Sequence, residues 1–257
     1  QLAFFGLFAL QHRGQEAAGI VSYTPDEGFS AVRRFGYVRD NFTSASLMES
    51  LPGDLAIGHV RYSTAGSKGS TQLRDVQPLF AEFQMGGCAV AHNGNLTNAL
   101  ALRDELISRG SIFQSTSDTE VILHLYARSH RERVEDAIAA SLYKVMGAFS
   151  LVFLTPDALV AARDPWGFRP LVLGRLGGAA VVASETCALD LIDAEYVREV
   201  EPGEVLVADA HGVRSFKPFP PEPTAHCVFE HVYFARPDSL VFGRNVLESR
   251  LRLGRQL

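Results

Sequence analysis

The feature that most constrains this chain is the stretch over residues 88–99, which reads CAVAHNGNLTNA. Its first four residues are small or apolar and predict a short buried strand. The pair Asn93–Gly94 follows, and such a pair is typical of turns because glycine adopts positive φ freely and asparagine tolerates it. Helical periodicity then runs over residues 96–108. The stretch therefore predicts a strand, a sharp polar turn and a helix.

A polar turn between a strand and a helix brings an amide side chain and free backbone N–H groups to one point. These are the parts of an oxyanion hole, in which hydrogen-bond donors stabilise negative charge that develops on a carbonyl oxygen. The Asn93 side chain and the Gly94 N–H group are candidate donors of this kind. Taken alone, this motif is better interpreted as an ordinary strand-to-helix loop. The other motifs decide whether it is an oxyanion hole.

The composition is typical of a globular protein and argues against several classes of function. The 257 residues are 47% hydrophobic and 21% charged, with a formal net charge of -5, which is an ordinary balance. The acidic excess, without a basic stripe and interleaved aromatic residues, argues against nucleic acid or an anionic membrane as a partner. The apolar segment 2–10 has no basic flank and is too short to cross a bilayer, so it predicts a packed helix.

The three cysteines show neither disulfide nor metal-binding spacing. Cys88, Cys187 and Cys227 are far apart and form no CxxC pair, so no disulfide framework or self-contained zinc site is predicted. Cys88 and Cys187 lie among apolar residues and are expected to be buried. This cysteine usage suits a reducing compartment, and we expect a cytoplasmic protein.

Apolar patterning predicts alternating strands and helices along the chain. It predicts strands at residues 19–23, 30–35 and 55–62, with five more between 148 and 208. It predicts helices at residues 41–51, 118–128 and 133–145. Many strands flanking central helices indicate an α+β fold with two packed sheets and helices outside. The proline-rich segment 217–224 is linker-like, and we place a domain boundary shortly after it.

Four polar motifs follow apolar segments or open helices and contain side chains suited to one small molecule. Arg61 offers a planar fork of donors for a carboxylate, and Asp118 can accept from an ammonium group. With a carbonyl polarised by the Asn93–Gly94 pair, these groups describe an amino acid with a side-chain amide. The chemistry indicated is acyl transfer from that amide, with release of ammonia. The motifs are QHRGQ at 11–15, HVRYST at 59–64, HNGN at 92–95 and SDTE at 117–120.

Structural interpretations compete for some of these residues. Ser117 is placed as a helix N-cap with Glu120 three residues later, which is the pattern of a capping box. Residues 63–72 are rich in glycine, serine and threonine, and are either a lid or a plain connecting loop. No cysteine, serine or threonine is a convincing nucleophile. The candidate bases are also explained as hydrogen-bonded structural histidines: His12, His59 and His92.

Eight motifs in order resemble the glutaminase half of the glutamine phosphoribosylpyrophosphate amidotransferase family. Each motif alone is a weak signal, but together they extend from residue 10 to residue 239 and cover nearly the whole chain. They are QHRGQEAAGI, GHVRYSTAG, AHNGNLTNA, SDTEVILHL, DPWGFRPLVLG, ASETCALD, EPGEVLV and FEHVYFARPDS.

The resemblance implies an α+β fold, a four-layer αββα sandwich of the N-terminal-nucleophile hydrolase type. In that family a processed N-terminal cysteine is the nucleophile, and its own α-amine is the base. Position 1 here is glutamine. We therefore expect about a dozen further residues, including that cysteine, before Gln1, and we expect the polypeptide as written to be inactive.

The resemblance also implies roles for individual residues. Arg61 would bind the α-carboxylate of glutamine with help from Thr64, and Asp118 would bind its α-ammonium group. The Asn93 side chain and the Gly94 N–H would form the oxyanion hole, and we call these two donors the Asn93–Gly94 pair. Arg13 would help to hold the nucleophile's terminus, a role for which the residues themselves give no independent argument.

For the whole enzyme, the resemblance implies ammonia transfer to phosphoribosyl pyrophosphate, giving 5-phosphoribosylamine in the first committed step of de novo purine synthesis. Residues 1–231 would be the glutaminase domain, and residues 232–257 the start of a phosphoribosyltransferase domain that uses magnesium. Cys227 occupies a position that ligates a 4Fe-4S cluster in some members, and the other ligands would lie beyond Leu257. A plain thiol explains Cys227 at least as well. We also expect a homo-oligomer.

Two alternatives remain open. Another class II glutamine amidotransferase, such as a sugar-phosphate aminating or asparagine-forming enzyme, would share the arginine, Asn-Gly and aspartate groups. The FARPDS motif followed by a basic amphipathic helix favours the phosphoribosyl family. A non-catalytic glutamine-binding or regulatory domain would explain the missing nucleophile, and the mature N-terminus of the native protein would discriminate it.

Overall fold

The computed structural model describes residues 1–62, 72–83 and 86–257. The α-helices are α1 (Leu2–Ala9), α2 (Val38–Asn41), α3 (Ala45–Glu49), α4 (Ala99–Ser108), α5 (Glu120–Ala127), α6 (Val134–Leu142), α7 (Thr186–Leu191) and α8 (Val246–Gly254). The strands are β1 (Ala17–Thr24), β2 (Gly28–Phe35), β3 (Leu55–Arg61), β4 (Leu79–Phe83), β5 (Gly86–Leu96), β6 (Gly147–Leu154), β7 (Ala158–Arg163), β8 (Val172–Leu176), β9 (Ala179–Ala183), β10 (Glu195–Glu199), β11 (Val205–Asp209), β12 (Gly212–Phe216), β13 (Leu240–Val241) and β14 (Arg244–Asn245). Short 3₁₀ turns at Gln11–Arg13 and Leu73–Asp75 and a π-helical turn at Glu230–Phe234 complete the elements.

The strands form two facing β-layers. One layer is a six-stranded sheet in the order β12-β11-β7-β6-β5-β4. The other consists of two three-stranded sheets, β2-β1-β3 and β10-β8-β9. The pairs within these sheets are antiparallel, so most strands follow one another through short connections. In this arrangement β3 and β9 are edge strands of two separate sheets in one layer.

Apolar residues fill the space between the two β-layers. Val21 and Ile57 of the first three-stranded sheet pack against Ala89, Ala91 and Leu154 of the six-stranded sheet. Because successive strand side chains point to opposite faces, the residues at alternate positions of β3 and β5 share this inward direction. The alternation places Ile57, His59 and Arg61 on one inner face and Ala89, Ala91 and Asn93 on the other.

Helices cover the outer faces of both layers. On the six-stranded sheet, Ile122 of α5 and Ile138 and Leu142 of α6 join strand residues in one large buried cluster. On the other layer, Leu7 of α1 packs with Ile20 of β1, and the neighbouring helix α7 contacts the end of α1. The order helix, sheet, sheet, helix confirms the expected four-layer αββα sandwich. No described helix has the length and apolar character needed to cross a membrane.

The predicted turn at residues 92–95 is wrong. Strand β5 continues through Asn93 and Gly94 to Leu96, because it pairs with β6 over this whole segment. Gly94 is required by close approach rather than by positive φ: a Cβ there would lie 2.0 Å from the carbonyl oxygen of Ala148. The chain turns afterwards, where the Asn98 side chain binds the backbone of Lys144 and Met146.

Other local predictions also differ from the structure. The helix predicted over residues 41–51 is two short helices, α2 and α3, and strands β4, β10 and β12 were not predicted. The capping box does not form: the Glu120 carboxylate accepts from the N–H groups of Gln114 and Ser115 instead. The segment 114–115 therefore folds back onto the start of α5.

Candidate functional site

A cavity of about 520 Å³ lies where the C-terminal ends of β3 and β5 approach the loop before α5. The predicted site residues on its lining are Arg13, Arg61, Asn93, Gly94 and Asp118. These residues are far apart in sequence, so the fold brings the predicted groups to one cavity, which we call the polar cavity. Thr64 and most of the predicted lid at residues 63–72 lie outside the described residues.

Arg61 enters the polar cavity from the last position of β3. Its side chain is largely buried, and its Nε lies 3.9 Å from Oε2 of Glu16, which is a long ion pair. The buried Nη1 nitrogen has no hydrogen-bond partner among the described residues. Buried polar groups are normally paired, because an unpaired one costs about 1–3 kcal/mol. The guanidinium is therefore poised to donate to a group that enters the cavity.

Asn93 presents a second buried donor without a partner. Its side-chain Nδ2 makes no hydrogen bond to any described residue, and it lines the same cavity as Arg61. The inward direction follows from strand alternation with Ala89 and Ala91, which pack between the sheets. The side chain that the sequence assigned to an exposed turn is thus fixed by a paired strand.

The N–H group of Gly94 points to an open edge of β5. Strand β4 pairs with β5 only as far as Val90, so the later N–H groups on that side lack a neighbouring strand. His92 N–H donates to Gln77 Oε1 at 2.7 Å, and Leu96 N–H donates to Asp118 Oδ2 at 2.9 Å. Because alternate N–H groups of a strand point the same way, the Gly94 N–H lies between these two and faces the polar cavity.

Asp118 is a hydrogen-bonded carboxylate. Its Oδ2 accepts from Leu96 N–H, its Oδ1 accepts from Thr119 Oγ1 at 3.2 Å, and His92 Nδ1 lies 3.8 Å away. Burial alone would raise the pKa of Asp118, but the His92 ring and the two hydrogen bonds lower it to about 2. The group is therefore negatively charged at neutral pH and suited to an ammonium ligand.

His59 is a neutral ring with one unused acceptor. Its Nε2 lies 3.2 Å from the carbonyl oxygen of His92, and a carbonyl only accepts, so Nε2 carries the proton. Burial lowers the pKa of His59 to about 4, which leaves the other nitrogen, Nδ1, unprotonated at neutral pH. That nitrogen is buried and has no partner among the described residues.

A cluster of paired charges also borders the polar cavity, and sequence reasoning missed most of it. Arg13, which is only 7% exposed, donates to the fully buried carboxylates of Glu185 and Glu230. Arg169 donates to Glu230 Oε1 at 2.9 Å and also lines the cavity. We call Arg13, Arg169, Glu185 and Glu230 the paired cluster. Three of its members lie in the motifs DPWGFRPLVLG, ASETCALD and FEHVYFARPDS, but no sequence spacing indicates that they meet.

A second, mainly apolar cavity of about 420 Å³ separates the edge strands β3 and β9. Its lining includes Ile57 of β3 and Val181 of β9, and it reaches His59, Asn93 and Ser184, which also line the polar cavity. We call this space the interstrand slot. It lies in the plane of a β-layer and opens into the polar cavity at one end.

None of the three cysteines lines the polar cavity. Cys88 and Cys187 are buried as predicted, and burial raises the pKa of each thiol to about 12, so neither forms a thiolate at neutral pH. Cys227 is half-buried and lies 3.7 Å from Arg169 Nη1. Over the described ranges, no three histidine, cysteine, aspartate or glutamate side chains group as metal ligands, so a cluster at Cys227 requires ligands from elsewhere.

Comparisons with known proteins show what this chain is similar to. The model of a glutamine amidotransferase domain family matches residues 61–191. The chain is 49% identical to the amidophosphoribosyltransferase of Rhizobium etli, over 100% of this chain and 52% of that protein. It is 54% identical to the chloroplastic amidophosphoribosyltransferase 2 of Arabidopsis thaliana, over 97% of this chain and 44% of that protein.

A solved structure is similar over almost the whole chain. Glutamine phosphoribosylpyrophosphate amidotransferase from B. subtilis, complexed with ADP and GMP, superposes with a TM-score of 0.92 at 43% identity. The match covers 99% of this chain and 54% of that one. The chain thus spans about half the length of the relatives it matches.

Proposed function

The chain belongs to the glutamine amidotransferase domain family, and from that premise we propose that it is the glutamine-hydrolysing part of an amidophosphoribosyltransferase. The complete enzyme passes ammonia from glutamine to phosphoribosyl pyrophosphate and forms 5-phosphoribosylamine, at the entry to purine synthesis. The similarity to amidophosphoribosyltransferases along the entire chain supports this acceptor over a different sugar phosphate or aspartate.

One observation carries the proposal: the polar cavity combines an ionised carboxylate with buried donors that have no partner among the described residues. The Arg61 guanidinium binds the α-carboxylate of glutamine, for which a planar fork of donors is well suited. Asp118 binds the α-ammonium group. These two contacts fix the α-carbon end of glutamine and leave its side-chain amide directed to the Asn93–Gly94 pair.

The Asn93–Gly94 pair supplies the oxyanion hole. A thiolate attacks the amide carbon of glutamine, and the carbonyl oxygen gains negative charge. Asn93 Nδ2 and the Gly94 N–H donate to that oxygen, and both donors are held in place by β5 before the reaction begins. The tetrahedral intermediate takes up a proton and expels ammonia. Water then hydrolyses the remaining thioester to glutamate.

The interstrand slot supports a nucleophile carried by a segment outside this sequence. A strand in the slot would pair with the free edges of β3 and β9 and join the two three-stranded sheets, and one end of it would lie beside His59 and Asn93. No cysteine of this sequence lines the cavity. We place a cysteine N-terminus there, and Arg13, which borders the same cavity, is our candidate to hold it.

Other features of the complete enzyme rest on the same proposal. Residues 232–257 begin a phosphoribosyltransferase domain, in which magnesium accompanies phosphoribosyl pyrophosphate. A 4Fe-4S cluster at Cys227, a homo-oligomeric assembly and a cytoplasmic location are part of the proposal and await measurement.

The test is to assay the complete enzyme with glutamine and phosphoribosyl pyrophosphate, after sequencing its mature N-terminus. We expect an N-terminal cysteine, stoichiometric glutamate and 5-phosphoribosylamine, and activity with free ammonia when glutamine is omitted. Binding of glutamine without hydrolysis would favour a regulatory domain. Hydrolysis coupled only to another acceptor would favour a different class II enzyme.

A further inference from the structure

Three guanidinium groups line the polar cavity, those of Arg13, Arg61 and Arg169. Glutamine has a single carboxylate, so three available cations would offer it three competing positions. The structure resolves this competition, because the three arginines differ in how fully their donors are already used.

Glu230 occupies the donors of two of these arginines. Its side chain is fully buried. Its Oε1 lies 2.9 Å from Arg13 Nη2 and 2.9 Å from Arg169 Nη1, and its Oε2 lies 3.0 Å from Arg13 Nη1. This is a two-pronged contact with Arg13 and a shared contact with Arg169, which is the strong form of carboxylate pairing.

Phe234, on the same π-helical turn, covers the same two arginines. The guanidinium carbons of Arg13 and Arg169 lie 4.6 Å and 5.4 Å from the centroid of its ring. Both distances are within the range of a cation–π contact. Glu230 and Phe234 thus engage an edge and a face of each guanidinium, and Phe234 itself lines the cavity.

Glu185 completes the pairing of Arg13. Its fully buried carboxylate accepts from Arg13 Nη1 and from His12 Nε2, the latter at 2.7 Å. Burial alone would lower the pKa of Arg13, but Glu230 and Glu185 raise it overall. Arg13 therefore remains charged and is paired with two carboxylates of this chain.

Arg61 lacks such pairing. Its ion pair with Glu16 is long, and its buried Nη1 has no hydrogen-bond partner within the part of the chain that the structure describes. Of the three cavity arginines, it is the one with a buried donor left for a ligand.

We propose that Glu230 is a positioning residue that determines specificity: by pairing with both Arg13 and Arg169, it leaves Arg61 to receive the substrate carboxylate. This inference rests on the proposed glutaminase function. It places a specificity element in the segment 230–234, which follows the proline-rich linker, rather than among the residues that contact glutamine.

Loss of the Glu230 charge should affect binding of the substrate and of the product differently. In Glu230→Gln the shape is kept but the charge is lost, so Arg169 loses its carboxylate and Arg13 keeps only Glu185. The exposed positive charge favours a second carboxylate. Glutamate, the product, has one more carboxylate than glutamine. Removal of the Glu230 charge should therefore strengthen product inhibition more than it changes substrate binding.

The experiment measures KM for glutamine, kcat and the inhibition constant for glutamate in the complete enzyme. For Glu230→Gln we expect the glutamate inhibition constant to fall about tenfold relative to the glutamine KM. Glu230→Asp keeps the charge and should restore the wild-type ratio. A matched control is Glu204→Gln, which removes another buried carboxylate, paired with Arg198 away from the cavity, and should leave the ratio unchanged.

A second variant covers the case in which Glu230→Gln does not fold, as judged by its thermal unfolding. Because Arg169 is already paired with Glu230, we expect Arg169→Gln to change the glutamine KM by less than about threefold. The proposal would be overturned if Arg169→Gln raised the glutamine KM as much as an Arg61 variant does. It would also be overturned if folded Glu230→Gln left the ratio of the glutamate inhibition constant to the glutamine KM unchanged. Failure of the wild-type enzyme to hydrolyse glutamine would instead refute the proposed function.

Discussion

Two groups of polar residues border the same cavity and differ in how completely they are paired. In the paired cluster, each guanidinium and carboxylate has a charged partner within this chain. In the second group, which we call the open cluster (Arg61, Asn93, Gly94 and Asp118), two buried nitrogens have no partner among the described residues.

The difference separates stability from function. A fully paired buried network stabilises the fold and fixes geometry, whereas an unpaired buried donor destabilises the protein unless a ligand completes it. The open cluster is therefore where a substrate supplies the missing partners. Substitution of Arg61 or Asn93, the open-cluster side chains with an unpartnered nitrogen among the described residues, should reduce activity without loss of stability, whereas substitutions in the paired cluster should reduce stability.

The largest expected effect is that of Arg61→Ala in the complete enzyme. Loss of the guanidinium leaves the glutamine carboxylate without its charged partner, and kcat/KM for glutamine should fall about a thousandfold. Activity with free ammonia should persist, because ammonia does not use this contact. Steady-state assays with either nitrogen source check both expectations, and an equal fall in both activities would make Arg61 structural.

Next in size is Asn93→Ala, which removes one donor of the oxyanion hole. Turnover with glutamine should fall about a hundredfold with little change in KM, because this hydrogen bond strengthens only as charge develops. The midpoint of thermal unfolding should not decrease, since Asn93 Nδ2 has no hydrogen bond to a described residue that could be lost. Unchanged turnover would remove Asn93 from the mechanism. A marked loss of stability would contradict the distinction between the open cluster and the paired cluster.

The paired cluster should respond to Glu185→Gln with a loss of stability. Burial alone would raise the pKa of Glu185, but hydrogen bonding to His12 and the charge of Arg13 lower it to about 2. The ionised Glu185 carboxylate therefore stabilises the fold fully at pH values above its ordinary pKa near 4.5. This stabilisation is lost as the pH falls toward 2.

We therefore expect Glu185→Gln to reduce the free energy of unfolding by about 2 kcal/mol at neutral pH. This reduction is smaller than that expected when a buried charge loses its only partner, because Arg13 still pairs with Glu230. Urea unfolding from neutral pH down to about pH 3 should show the difference between variant and wild type shrinking with acidity. A difference that stays constant over this range would contradict the assigned ionisation.

Much of the fold follows from local sequence patterns, and the open cluster follows from chemical types. Helix α6 and strand β6 lie close to their predicted positions because their apolar periodicity has one interpretation. The Asn93–Gly94 pair shows the limit of such reasoning. Its local preference favours a turn, but pairing of β5 with β6 overrides that preference, and the same two donors reach the cavity from a strand.

The paired cluster was not predictable from spacing, because its members come from four distant segments. Arg13 and Glu230 are separated by 217 positions, and nothing in the pattern around Glu230 distinguishes it from a surface carboxylate. Strand β4 was missed for a related reason: it is a short edge strand, and its pairing partner in β5 defines it better than its own sequence does.

The smallest expected effect is that of pH on glutamine binding through Asp118. Its pKa of about 2 lies well below the assay range, so it remains ionised, and its contact with the α-ammonium group should not weaken on mild acidification. We expect the glutamine KM of the wild-type enzyme to change by less than about twofold between pH 8 and 5. Asp118→Asn is the matched variant: its KM should be raised at every pH, because the charge is absent throughout. A wild-type KM that climbs toward the Asp118→Asn value between about pH 6 and 4 would mean that Asp118 titrates there. That result would show that His92 and the hydrogen bonds from Leu96 and Thr119 do not hold the carboxylate ionised, and Asp118 would no longer belong with the open cluster as a permanent negative charge.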